Sequence, residues 1–234
     1  MRKILYGLTA FAMILSFLYV AIHIPTFSIG TYQRHFETYG TAEVIGISET
    51  ELLQVTQRLL GYMAGSYQDL TIYATVQGVY GPFFTQREVD HMVDVRLLFQ
   101  MGDMILWFSV AMIAMGLYVA WYLYKELHVI AKYTLIGGGM TLAITLWLAY
   151  LFATDFVRHW WTFHDVFFFF DEERLWILDP QVDHLINMVP YSFFMSIGVT
   201  IGGLFVSLLL GLMGVSGGYL FYQQKNKPLI KEGL

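Results

Sequence analysis

MILWFSVAMIAMGLYVAWYLY (residues 104–124), KELHVIAK (125–132) and YTLIGGGMTLAITLWLAYLFA (133–153) follow one another without interruption. The two outer stretches carry no Lys, Arg, Asp or Glu. Each is about 20 residues long, which is what a helix needs to cross about 30 Å of hydrocarbon. Backbone hydrogen bonds must close within the segment in lipid, so both read as helices. The short connection between them holds Lys125 and Lys132, and short Lys-rich loops stay on the cytoplasmic side.

Two further apolar stretches flank this hairpin, residues 4–24 and 193–222, the latter most apolar over Phe193–Met213. Threading the chain through four spans sorts its charges. Lys3, Lys125, Lys132, Lys225, Lys227 and Lys231 all fall on one side with Arg2. Every acidic residue except Glu126 and Glu232 falls on the other. The expected layout is therefore a cytoplasmic N-terminus, a cap at 25–103, a second outer segment at 154–192, and a cytoplasmic tail at 223–234. The outer basic residues are all Arg: Arg34, Arg58, Arg87, Arg96, Arg158 and Arg174. The first stretch lacks a small-residue cleavage site and is long for a signal peptide, so it reads as a retained anchor.

Composition narrows the function. Cysteine is absent, which removes disulfides and thiol chemistry. The net charge of -5 sits in the outer segments and argues against nucleic-acid binding. No Lys, Arg, Asp or Glu lies inside a span, which speaks against an ion or proton path, and no repeat relates the halves as in many transporters. Glycines at 137–139 and at 198, 202 and 203 are expected to let helices pack closely.

The outer segments carry local signals. Ser48-Glu49-Thr50-Glu51 and Thr85-Gln86-Arg87-Glu88 are capping boxes, each opening a helix. The first helix is expected to end around Gly61–Gly65, the second to run through His91 into the second span. Residues 71–79 read as a strand or hairpin piece, Gly81-Pro82 as a break, and 175–178 as a short strand. Asp179-Pro180 reads as an N-cap followed by Pro at the first helical position. The expected fold class is an α-helical membrane protein, with four transmembrane helices and a small mixed α/β extracytoplasmic cap.

Histidine is the side chain suited to proton transfer near neutral pH. His91 shares a helix face with Arg87 and Asp94. That setting fits a general base oriented by Asp94, and equally a salt-bridge face of Arg87, Asp90, Asp94 and Arg96. His164 lies beside Asp165 in an aromatic stretch ending in Phe167–Phe170. His23, His35, His128 and His184 read as surface or interface residues, and His159 as interfacial or supporting. A zinc site from His91, Asp94, His159 and His164 is a weaker reading, because no compact ligand motif is present. There is no G-x-S-x-G nucleophile elbow and no phosphate-binding loop.

Residues 85–96, TQREVDHMVDVR, resemble the REhxHMxDV stretch (h, apolar) of the lipoprotein intramolecular transacylases. Residues 163–168, FHDVFF, followed by Trp176 and Leu178-Asp179-Pro180, resemble that family's second motif. Order, spacing and span layout agree over most of the chain, while residues 32–80 match no recognisable motif. The resemblance implies transfer of the sn-2 acyl chain of a diacylglyceryl-cysteine lipoprotein to the α-amino group of the same cysteine. It places the essential histidines at His91 and His164. Arg87, Asp94, Arg96 and Asp165 are the expected supporting groups, with Arg87 or Arg96 steadying an oxyanion. Phe167, Phe168 and Trp176 are the expected substrate contacts. No cofactor or metal is expected. The expected partners are the lipoprotein substrate and membrane lipids, with the chain acting as a monomer in a bacterial cell membrane. Two alternatives are a lipid hydrolase using the same histidines and a non-catalytic lipid- or lipoprotein-binding protein.

Overall fold

A computed structural model describes residues 1–226. The chain forms α1 (Arg2–Thr26), α2 (Ile29–Tyr39), α3 (Thr41–Ile45), α4 (Glu49–Met63), a hairpin of β1 (Tyr73–Val76) and β2 (Val79–Pro82), and α5 (Gln86–Tyr118). A π-helical turn, Val119–Leu123, extends α5; α6 (Leu127–Thr154), α7 (Phe156–Phe167), α8 (His184–Met188) and α9 (Tyr191–Lys225) follow. Four helices are long and apolar enough to cross a membrane: α1, α5 with its π turn, α6 and α9. Each contains one of the expected spans. Part of the expected tail, from residue 227 on, lies outside the described residues.

The contacts divide the chain into two compact units. The first comprises residues 1–21, 105–149 and the part of α9 from Gly202. One apolar cluster joins Tyr6, Ala120 and Ile130, and another joins Ile14, Ala21, Phe205 and Leu209. Close approach depends on glycine at two places. A Cβ on Gly116 would collide with the Thr9 side chain, and one on Gly138 would come within 2.8 Å of Met213. Gly198, Gly202 and Gly203 meet nothing within 4 Å among the described residues, so that expected contact is absent there. Their surfaces meet no neighbouring helix, whereas Gly116 faces α1. Glu126, one of the two acids that depart from the charge sorting, is held locally. Its carboxylate accepts from Tyr6 Oη at 2.9 Å and pairs with Arg2 at 3.6 Å, while Arg2 also lies over the Tyr124 ring. Large side chains such as Trp107, Phe108, Trp121 and Trp147 point outward, as lipid-facing surface requires.

The second unit comprises residues 22–104 and 150–201. Its core gathers Phe36, Leu52, Leu59, Leu70, Phe83 and Met188 with other buried apolar side chains. The second capping box forms in full, and the first through its serine, whose hydroxyl also donates to the Glu51 carboxylate at 2.8 Å. Ser48 Oγ accepts from the Glu51 amide at 3.2 Å and starts α4. At the second, Thr85 N–H donates to Glu88 at 2.7 Å and Glu88 N–H donates to Thr85 Oγ at 3.3 Å.

Three local expectations are corrected. Gly81 and Pro82 belong to β2; the turn is Gln77-Gly78, where both residues have positive φ (51° and 80°). That is what a two-residue hairpin loop needs to match strand twist. Residues 175–178 form no strand. Their backbone groups are taken by side chains: Asp171 accepts from the Glu173 and Leu175 amides, and Arg87 donates to the Glu173, Arg174 and Ile177 carbonyls. Asp179-Pro180 opens a turn rather than a helix. The Asp179 carbonyl accepts from Val182 and Asp183, and α8 starts at His184.

Candidate active site

The start of α5 is anchored before it delivers His91. Glu88 is fully buried, and besides closing its capping box it accepts a hydrogen bond from the Leu185 amide at the head of α8. Thr85 Oγ donates to Asp183 at 2.8 Å, and Asp183 also accepts from the Asp179 amide. Residues roughly a hundred positions apart are thus pinned together, and His91 follows Glu88 by about one helical turn. Burial holds the Glu88 carboxyl above the usual carboxylate range, against the pull of its hydrogen bonds.

His164 arrives from α7, whose first turn is capped by Asp155 accepting from the Arg158 amide. Its Nδ1 lies 2.9 Å from the Trp160 carbonyl oxygen. A carbonyl can only accept, so Nδ1 carries the proton and Nε2 keeps its lone pair. The His91 and His164 ring centroids are 6.4 Å apart. Phe168 packs on both, at 5.3 Å from His91 and 5.6 Å from His164. Trp176 at 4.8 Å and Trp160 at 4.5 Å cover other faces of His164. Exposure is 7% for His91 and 6% for His164. Little water reaches either ring.

This setting dictates charge. Burial lowers the pKa of His91 to about 4, helped by the neighbouring His164, with Asp171 pulling the other way. Burial also lowers His164, partly opposed by its bond to Trp160 and by Asp165. Both imidazoles are therefore neutral near pH 7, each with one nitrogen lone pair able to take a further proton. His91 Nδ1 is buried without a hydrogen-bond partner among the described residues. A buried unsatisfied nitrogen is costly, and such a group in a native fold often has a catalytic reason.

The other named residues are placed as follows. Asp94 does not orient His91, since Nδ1 has no partner. Partial burial and the Asp171 and Asp90 charges hold its carboxyl above the usual range. Asp165 pairs with Arg174 at 3.3 Å. Arg87 donates to three carbonyls on either side of Trp176, those of Ile177, Glu173 and Arg174, at 3.0, 3.4 and 2.7 Å. Arg96 donates to the Gln68 carbonyl at 3.4 Å and lies over Tyr62. Both guanidiniums are thus engaged with the protein. Phe168 and Trp176 are walls of the imidazole pair, while Phe167 is half-exposed and packs on Phe163. His159 turns back to the Asp155 carbonyl at 2.7 Å and does not join the pair. Among the described residues no three His, Asp or Glu side chains gather as metal ligands. His35 is buried among Tyr39 and Phe193 rather than at the surface.

Sequence reading missed Trp160 and Asp171. Trp160 stands one helical turn before His164, so its contact was derivable from spacing. Asp171 has no such signal: its carboxylate folds the loop that carries Trp176.

The family model described as lipoprotein intramolecular transacylase Lit matches residues 7–194. The fold resembles the membrane-integral lipoprotein intramolecular transacylase Lit from Bacillus cereus, with a TM-score of 0.79 at 15% identity, covering 97% of this chain and 99% of that one. Structures of two histidine variants of that protein match as well. The histidine-to-arginine form has a TM-score of 0.71 at 16% identity, with coverage of 96% and 94%. The histidine-to-alanine form has 0.72 at 16%, with coverage of 97% and 96%. No curated protein matches the sequence. With the match spanning most of its length, the chain belongs to the lipoprotein intramolecular transacylase family and is a membrane-integral acyltransferase.

Proposed function

We propose that the chain converts a diacylglyceryl lipoprotein to its lyso form, by moving the sn-2 acyl chain to the α-amino group of the same N-terminal cysteine. The observation that carries this is the pair of buried, neutral imidazoles 6.4 Å apart, from two distant segments. The amine nitrogen attacks the ester carbonyl, an amide C–N bond forms, and the ester C–O bond breaks. The amine gives up a proton and the departing glycerol oxygen gains one. An N-terminal amine has a pKa of about 8 and is largely protonated at neutral pH, so attack needs a base. His164 Nε2 takes the proton that the free amine loses on attack, and that same proton passes to the departing glycerol oxygen, with the unpartnered His91 nitrogen as relay. A centroid separation of this size brings both imidazoles to one reacting centre. Nucleophile and ester sit on one molecule, so holding them in register supplies much of the rate. The aromatic walls favour transfer over hydrolysis by keeping water away.

Arg87 and Asp171 serve by folding the 171–177 loop so that Trp176 covers His164. The site is complete within one chain, consistent with a monomer. On the charge sorting, both termini are cytoplasmic and the histidines lie on the extracytoplasmic side.

The test is mass spectrometry of a diacyl lipopeptide incubated with purified protein. The expected product has unchanged mass and an N-acylated cysteine, and both His91→Ala and His164→Ala abolish it. Free fatty acid as the main product, or full activity in both variants, overturns the assignment. Because the chain has no native cysteine, single cysteines at Gln181 and His128 report sidedness directly. An impermeant thiol reagent applied outside should label only the former.

A further inference from the structure

The first unit carries a feature that acyl transfer does not use. A groove of about 210 Å³ runs between α1 and α6, lined by Gly7, Phe11, Ile14, Ile136 and Thr141 among others. A second hollow of about 370 Å³ is lined by Lys3, Lys132, Tyr133, Ile136 and Val129. Tyr133 and Ile136 line both hollows, which therefore adjoin as a shallow trough, apolar at one end and basic at the other. Both lysines are exposed, and neither is in an ion pair among the described residues. The reach from Lys3 to Ile14 is about 16 Å of helix, close to half of a roughly 30 Å hydrocarbon core. That is the depth of one leaflet. A Cβ on Gly7 would meet nothing within 4 Å, so the trough has room beside that residue.

We infer that this trough is a binding site for an anionic diacyl phospholipid, its phosphate held by Lys3 and Lys132 and one acyl chain lying over Gly7, Phe11 and Ile14. The charge decides the occupant. Two unpaired lysines at the head of an apolar groove fit a phosphate joined to a hydrocarbon chain, and basic pockets between membrane helices recognise anionic headgroups in this way. Zwitterionic lipids place a compensating cation at the same mouth and gain less. The site lies in the unit that does not contain His91 or His164, so its occupancy is separable from acyl transfer.

The experiment is native mass spectrometry of the full chain released from micelles doped with phosphatidylglycerol or phosphatidylcholine at equal amounts. One retained phosphatidylglycerol is expected, in preference to phosphatidylcholine. Lys3→Ala with Lys132→Ala should lower its retention on the order of tenfold, given two lysines acting at an anionic headgroup. Lys3→Arg with Lys132→Arg should restore it. Gly7→Leu, which fills the groove, should lower retention while leaving the lysines in place. Inorganic phosphate should not displace the lipid. Equal retention of both lipids, or retention unchanged in the double alanine variant, overturns the site. So does displacement by inorganic phosphate, or full retention in Gly7→Leu, since either means that the acyl chain contributes nothing.

Discussion

Replacing Glu88 by alanine should loosen the element that carries His91. The Glu88 carboxylate is fully buried and accepts from two backbone amides, those of Thr85 and Leu185. In Glu88→Ala both amides lose their acceptor. An unsatisfied buried N–H costs about 1–3 kcal/mol, giving a gross loss of about 2–6 kcal/mol. Removing the carboxylate also relieves its own burial and its repulsion by Asp183, the two effects that hold its pKa high. The net expectation is about 2–4 kcal/mol. For a chain of this size, each kcal/mol is worth about 2–4 °C of melting temperature, so a drop on the order of 10 °C is expected. Glu88→Gln keeps one acceptor oxygen and should fall between. Thermal unfolding in detergent, followed by tryptophan fluorescence, reads this. Trp160 and Trp176 border His164 and report the same region. A Glu88→Ala protein melting within about 2 °C of the parent would falsify the latch.

Other expectations follow from the same geometry. The folded His91 has a pKa near 4 against an ordinary 6.5, so the unfolded chain binds its proton first. Its contribution to stability is complete above about pH 6.5 and is lost as pH falls toward 4, by up to about 3 kcal/mol. Melting temperatures measured from pH 8 to 4 should show a smaller acid decline in His91→Gln than in the parent; parallel curves would contradict the buried neutral imidazole. Activity between pH 6 and 9 should rise with deprotonation of the substrate amine, near 8, without an inflection at 6.5. Arg87→Lys gives up the forked contact with three carbonyls and should lower kcat on the order of tenfold, with a shift in tryptophan emission; a change confined to KM would point to a substrate contact instead. Gly116→Ala drives a methyl into Thr9 and should cost about 1–3 kcal/mol. Pairing it with Thr9→Ala should recover most of that loss, and the double variant's melting curve decides it.

Much of the architecture was legible because its causes are local. A run of apolar residues satisfies lipid by its own composition, so four helices could be read without knowing their neighbours. A capping box joins groups three residues apart, so the starts of α4 and α5 were legible too. The 171–177 loop was not. Leu175, Trp176 and Ile177 look like strand residues, but Arg87 and Asp171 claim their backbone. Asp179-Pro180 looks like a helix start, but the Asp183 carboxylate is drawn to Thr85 and the Asp179 amide. Arg87 and Asp94 share a face with His91 in any helix, yet one is spent on a distant loop and the other leaves His91 Nδ1 unpaired.

The order of residues alone therefore determined the number of membrane helices, the sorting of charge and the two histidine-bearing segments, since each depends on neighbours within a turn or two of chain. Only the folded molecule decided that the imidazoles meet under Phe168 and Trp176, which side chains hold them there, and that both rings are neutral. Burial and long-range hydrogen bonding arise when segments some seventy residues apart close on each other, and no local pattern records that closure.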